Sequence, residues 1–99
     1  MRVQVLEEAL EDLDQGFRFY EGQEAGLGLY FLDELFSDID SLRNSAGIHP
    51  LVFSHHRALA RRFPFAIYYS VKEEFVRVHA VMDCRRKPSS IRKRLEKGS

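Results

Sequence analysis

Cysteine is almost missing from this 99-residue chain, and the single Cys84 excludes an internal disulfide and a cysteine-rich zinc site. That scarcity fits a reducing compartment. Proline occurs only three times, too rarely for the composition of a disordered or linker segment. No apolar run approaches the roughly 20 residues that cross a bilayer. Met1 leads through Arg2 to Glu7 and Glu8 without the apolar stretch of a signal peptide. The expected location is the cytoplasm. A second domain is not expected within these 99 residues, because a chain this short buries about 60–65 % of its unfolded surface and cannot divide that core. Residues 1–99 therefore read as one domain, with 96–99 frayed.

What the chain does have is apolar and aromatic content, with 44 % hydrophobic residues, eight Phe and four Tyr. That is enough for a packed core. Charge sums to zero but is unevenly placed. Residues 1–50 hold eleven acids against Arg2, Arg18 and Arg43, a balance of −8, and residues 51–99 hold twelve bases against four acids, a balance of +8. A molecule polarised in this way offers one face to an anionic partner and repels it from the other. The plainer account is two solvated faces of two structural halves.

Residues 1–5 alternate Val3 and Val5 with polar neighbours, the pattern of a short strand. From Leu6 the period lengthens: Leu6, Leu10, Leu13, Phe17 and Tyr20 form one helical stripe, and Gly22 and Gly26 mark its end and a turn. Residues 27–43 repeat the pattern, with Phe31, Leu35 and Leu42 on a stripe widened by Leu32, Phe36 and Ile39. Two helices joined by a short turn make an antiparallel hairpin. A loop follows over residues 44–50, and then the period falls to two.

Residues 57–62 alternate imperfectly before Phe63-Pro64 interrupts. Phe65, Ile67, Tyr69 and Val71 then line one side of a strand, with Ala66, Tyr68 and Ser70 on the other. After the turn Lys72-Glu73-Glu74, the last strand is expected to place Val76, Val78, Ala80 and Met82 on one face and Phe75, Arg77, His79 and Val81 on the other. Residues 88–95 read as a short basic helix with Pro88 near its start and Ile91 and Leu95 as its apolar side. The expected class is α+β, with the helical hairpin covering one face of the sheet.

Three segments carry a resemblance. Residues 13–35 read LDQGFRFYEGQEAGLGLYFLDEL, residues 61–71 read RRFPFAIYYSV, and residues 76–88 read VRVHAVMDCRRKP. Over residues 1–95 the chain resembles the RelE/ParE superfamily of type II toxins, especially its ParE-like, plasmid-stabilisation branch. The resemblance implies a β-α-α-β-β-β domain with a largely antiparallel four-stranded sheet. It also implies a small antitoxin whose C-terminal part wraps the toxin. Targets in the superfamily divide: RelE-like members cleave messenger RNA on the ribosome, and ParE-like members are associated with inhibition of DNA gyrase.

A metal-free ribonuclease needs a base, an acid and cations around the phosphorane. Arg61, Arg62, Arg85, Arg86 and Lys87 stand at positions resembling the cationic clamp of the cleaving members, yet no Tyr follows Tyr69 and no His follows His79. The absence of lysine from residues 1–71 also removes the basic helical surface with which RelE-like enzymes grip RNA. These features favour a growth-inhibiting toxin that binds a gyrase or topoisomerase-class target over an enzyme. If the chain is an enzyme, it is a metal-independent, ribosome-dependent endoribonuclease. A non-toxic relative that retains only antitoxin binding is the third reading.

The five cations are the expected target-binding set, against the simpler view of a solubilising terminus. Of Arg61 and Arg62, one is expected to pair with a helical acid and the other to face a partner; either assignment fits. Tyr68, Arg77 and His79 are expected on the sheet face the helices leave uncovered, where an antitoxin segment docks. His49, His55 and His56 lack the spacing of metal ligands, and no metal or cofactor is expected. Cys84 has no histidine close in sequence and reads as a passive side chain.

Overall fold

The computed structural model describes residues 1–97. In chain order the elements are β1 (Arg2–Val5), α1 (Glu7–Gln23), α2 (Leu27–Asp40), a short α3 (Leu42–Ser45), β2 (Leu51–Val52), β3 (His55–Leu59), β4 (Phe65–Lys72), β5 (Phe75–Asp83) and α4 (Pro88–Lys97). The class is α+β as expected, but the sheet has five strands, not four, in the order β1-β5-β4-β3-β2. The added strand, β2, is a two-residue arm pairing Leu51 with His56 and Val52 with His55. It lies between the loop expected over residues 44–50 and the first strand expected after it, and is too short to show a period. The β2–β3, β3–β4 and β4–β5 pairs are antiparallel, whereas β1 runs parallel to β5. Glu96 and Lys97 continue α4 where fraying is expected, and 98–99 lie outside the described residues.

The helical hairpin packs unusually closely. A Cβ on Gly16 would stand 2.4 Å from the Phe31 ring, and one on Gly28 would stand 2.8 Å from the Phe17 carbonyl oxygen. These two glycines let α1 and α2 approach. Gly22 does not end α1 but lies within it, and the turn falls to Gly26 at φ 90°. The Glu21 carboxylate accepts the Gly26 and Gly28 backbone N–H groups at 3.0–3.1 Å, satisfying donors at the start of α2. The buried line of α1 is Ala9, Asp12, Leu13 and Gly16, so Leu10, expected on the core stripe, is 47 % exposed.

The principal core joins Leu13, Phe31, Leu35 and Ile39 of the hairpin to Ile67, Tyr69, Val76, Val78 and Val81 of the sheet. The alternation on β5 breaks at His79. Tyr68 pairs with Ala80 and Tyr69 with Val78, leaving His79 as an extra residue in a bulge. Parity reverses there: Val81 joins the hairpin core, while Ala80 and Met82 turn to the other face. That second face is not open, because Ile91 and Leu95 of α4 pack on Ala66, Tyr68, Ala80 and Met82. Burying two such aliphatic side chains contributes roughly 3–6 kcal/mol before entropy is charged against it.

Candidate functional site

The pairing of Phe65 with Asp83, extended by the Cys84 N–H donating to the Pro64 carbonyl at 2.8 Å, sets the β3–β4 loop beside the end of β5. This brings Arg61 and Arg62 to the same end of the sheet as Arg85, Arg86 and Lys87.

Three of these five cations are already answered by acids. Arg61 donates to Asp38 through its Nε at 3.0 Å and its backbone N–H at 3.1 Å, and Arg62 pairs with Glu34 at 3.4 Å. Both therefore lean on α2, a correction to the expectation that only one would. The reason is that Glu34 and Asp38 are four residues apart and present successive turns of one helix face. Arg85 grips Asp83 with Nε at 3.0 Å, Nη2 at 2.7 Å and its backbone N–H at 2.8 Å. The hydrogen bond from Arg85 holds the Asp83 carboxyl below the usual carboxylate range, and the same bond raises the fully exposed Arg85. Among the described residues, Arg86 and Lys87 have no carboxylate partner and are exposed.

Beside this corner a 270 Å³ cleft opens between α1 and the end of β5, lined among others by Phe19, Phe65, Met82, Asp83, Arg85 and Arg86. It is buttressed by aromatic rings: Tyr20 lies 4.9 Å from Phe63 and 5.1 Å from Phe31, and Phe31 lies 5.0 Å from Phe65. Burial raises the Tyr20 hydroxyl pKa, and the negative charge of Asp83 raises it further against an opposing effect of Arg85. Tyr20 thus belongs electrostatically to the basic corner. Its place on a helical stripe marks it only as core.

Tyr68, Arg77 and His79 do not form one open surface. Tyr68 is 1 % exposed, sealed under α4, and its hydroxyl accepts from Arg57 Nε at 3.2 Å. A helix with two apolar residues is enough to close a patch this narrow, which is why the expectation of an uncovered face fails at Tyr68. Arg77 is exposed. His79 is half-buried in the bulge, with Nε2 at 2.7 Å from the Ser70 hydroxyl and its ring 4.7 Å from that of His55. Burial lowers its pKa, as do His55 and Arg77, while Glu8 acts in the opposite sense.

His56 stacks on Tyr69 at 5.0 Å, and the Tyr69 hydroxyl also meets His49 Nδ1 and the Gly47 N–H. The adjacent His55 and His56 thus serve different environments. Cys84 is half-buried and accepts weakly from Arg57 Nη2 at 3.8 Å. Arg57 is a residue that sequence reasoning passed over, because one arginine inside an irregular alternation gives no signal of its own.

The sequence matches no family model and no curated protein. Among solved structures, a chain described as "Chromosomal ParDE TA system from P. aeruginosa" aligns with a TM-score of 0.73 at 18 % identity, covering 84 % of this chain and 95 % of that one. The two share a fold. Among the described residues no helix is long and apolar enough to cross a membrane.

Proposed function

We propose that this chain is the toxin of a type II toxin–antitoxin pair, acting by binding a gyrase or topoisomerase-class target and held inactive by a cognate antitoxin in the cytoplasm. The observation that carries this reading is the shared fold with a chain of a ParDE system, which spans most of both molecules. The target is met at the basic corner formed by Arg61, Arg62, Arg85, Arg86 and Lys87. Within it Arg86 and Lys87 have no ion-pair partner among the described residues, while the other three are paired with acids. The uneven charge supports binding through this corner alone, since the helices carry most of the acids and repel an anionic surface. The antitoxin engages Arg77 and the accessible edge of His79, and it reaches Tyr68 only if α4 leaves the sheet.

The test is induction of the chain with and without its neighbouring small reading frame, comparing messenger cleavage with gyrase-linked DNA damage. Growth arrest with DNA damage and intact transcripts, relieved by the neighbour, is the expected result. Fragmented transcripts with intact DNA would replace the binding reading with an endoribonuclease. No growth effect would leave only antitoxin binding.

A further inference from the structure

A 250 Å³ cavity opens on the sheet face that carries α4, between the β2–β3 turn and the start of that helix. Val52, Phe53, Tyr68 and Ile91 supply its apolar walls, and Arg57 and Arg86 line it beside them. Seven arginines of the chain pair with carboxylates. Among the described residues Arg2, Arg57, Arg77 and Arg86 do not, and of these four only Arg57 is partly buried. Its side-chain partners, the Tyr68 hydroxyl at 3.2 Å and the Cys84 sulfur at 3.8 Å, are uncharged groups. They orient the guanidinium without neutralising it. A cation withdrawn from water without a counter-charge is costly, and an anion from outside relieves that cost.

The placement is rigid. Arg57 and Tyr68 are register partners across β3 and β4, so the sheet itself sets their spacing. Arg86 is fixed from the other side by its backbone N–H donating to the Asp83 carbonyl at 3.1 Å. Phe53 and Ser54 both take left-handed backbone conformations, at φ 51° and 66°, which non-glycine residues seldom adopt. The His55 Nδ1–H donates to the Phe53 carbonyl at 2.9 Å and holds that turn, with the Phe53 side chain in the cavity wall. Strain of this kind concentrates at ligand sites.

We propose that this cavity binds a small molecule bearing a phosphate monoester on a compact apolar or aromatic body, with Arg57 and Arg86 as its two cationic contacts. Two guanidiniums without an ion pair among the described residues match a dianion better than a single carboxylate, and guanidinium geometry suits phosphate oxygens. The Tyr68 hydroxyl, whose lone pair already receives Arg57, keeps its proton to donate to the same group. Phe53, Val52 and Ile91 take the apolar body. The volume lies below the roughly 300–1,000 Å³ of drug-sized sites, which favours a ligand no larger than one ring and one phosphate. The inference goes beyond the proposed toxin role and needs no protein partner.

Titration of the full chain with phenyl phosphate, inorganic phosphate and benzoate, followed by calorimetry and by amide shifts, tests it. Saturable phenyl phosphate binding is expected, tighter than either fragment, with shifts centred on residues 52–57 and 84–88. Arg57→Gln and Arg86→Gln should each weaken it by about tenfold or more, as loss of a charged hydrogen bond requires, while Arg2→Gln leaves it unchanged. If Arg57→Gln does not fold, Arg86→Gln decides. Absence of saturable binding, benzoate binding as tightly as phenyl phosphate, or equal weakening by Arg2→Gln would each overturn the assignment.

Discussion

The guanidinium of Arg94 reaches both carboxylate oxygens of Asp12 at 2.8 Å, joining residues 82 positions apart. Asp12 Oδ2 also accepts the Val81 backbone N–H at 2.9 Å, and Arg94 makes a further ion pair with Glu8 at 2.9 Å. One buried carboxylate therefore ties α1, β5 and α4 together, and the hydrogen bonds to Asp12 raise the pKa of Arg94 above its usual value. Removing Asp12 leaves the mostly buried Arg94 with Glu8 as its carboxylate partner and strands a buried N–H group. Asp12→Ala should cost about 2–4 kcal/mol in urea unfolding, and Asp12→Asn, which still accepts from Val81, less. An unchanged midpoint for Asp12→Ala would mean that Ile91, Leu95 and the Arg94–Glu8 pair suffice to hold α4.

Two glycines of α1 should respond in opposite directions. Gly16→Ala drives a methyl group into the Phe31 ring, which is fully buried and cannot swing aside, so a loss of about 1–3 kcal/mol is expected. Gly22 lies inside the same helix with nothing within 4 Å of an added Cβ. Gly22→Ala should stabilise by about 0.5–1 kcal/mol, because the unfolded chain loses freedom while the fold loses nothing. Thermal melts of the two variants decide the matter; a loss for Gly22→Ala would contradict the helix boundary at Gln23.

Stability should depend on pH through His79 and His49, both held below their ordinary 6.5 mainly by burial. His79 is lowered further by His55 and Arg77, with Glu8 opposing, and His49 is lowered further by His56. With folded values depressed, the unfolded chain binds more protons in the window just below 6.5, so stability falls as pH drops through it. Above 6.5 the contribution is complete, and below the folded values the slope vanishes. Urea midpoints at pH 7.5 and pH 5.5 measure this, and His79→Asn should flatten the difference. Equal midpoints in the native protein would refute it.

The basic corner predicts a separation of function from stability. Arg86→Ala combined with Lys87→Ala removes exposed cations that form no ion pair among the described residues, so growth inhibition should disappear with an unchanged melt. Arg61→Ala instead deprives Asp38, which is 8 % exposed, of its ion pair and should cost about 1 kcal/mol. Full growth inhibition in the Arg86/Lys87 double variant would move the target surface elsewhere.

The helical hairpin, the long β4 and β5 strands and the basic terminal helix were all legible in the order of residues, because hydrophobic periodicity is a local property that each element writes along its own length. Which strand lies beside which is a matter of partners, so the parallel seating of β1 on β5 and the small β2 arm left no local mark. The inserted His79 reverses the parity of every residue after it, turning Ala80 and Met82 from the hairpin core toward α4. Charge told the same story: the arginines at the end of the sheet were visible as a cluster, but only their tertiary neighbours Glu34, Asp38 and Asp83 decide which are spent within the fold. Arg57 has no ion pair among the described residues, and the sequence could not show this, since an ion pair depends on distance through space and distance along the chain does not report it.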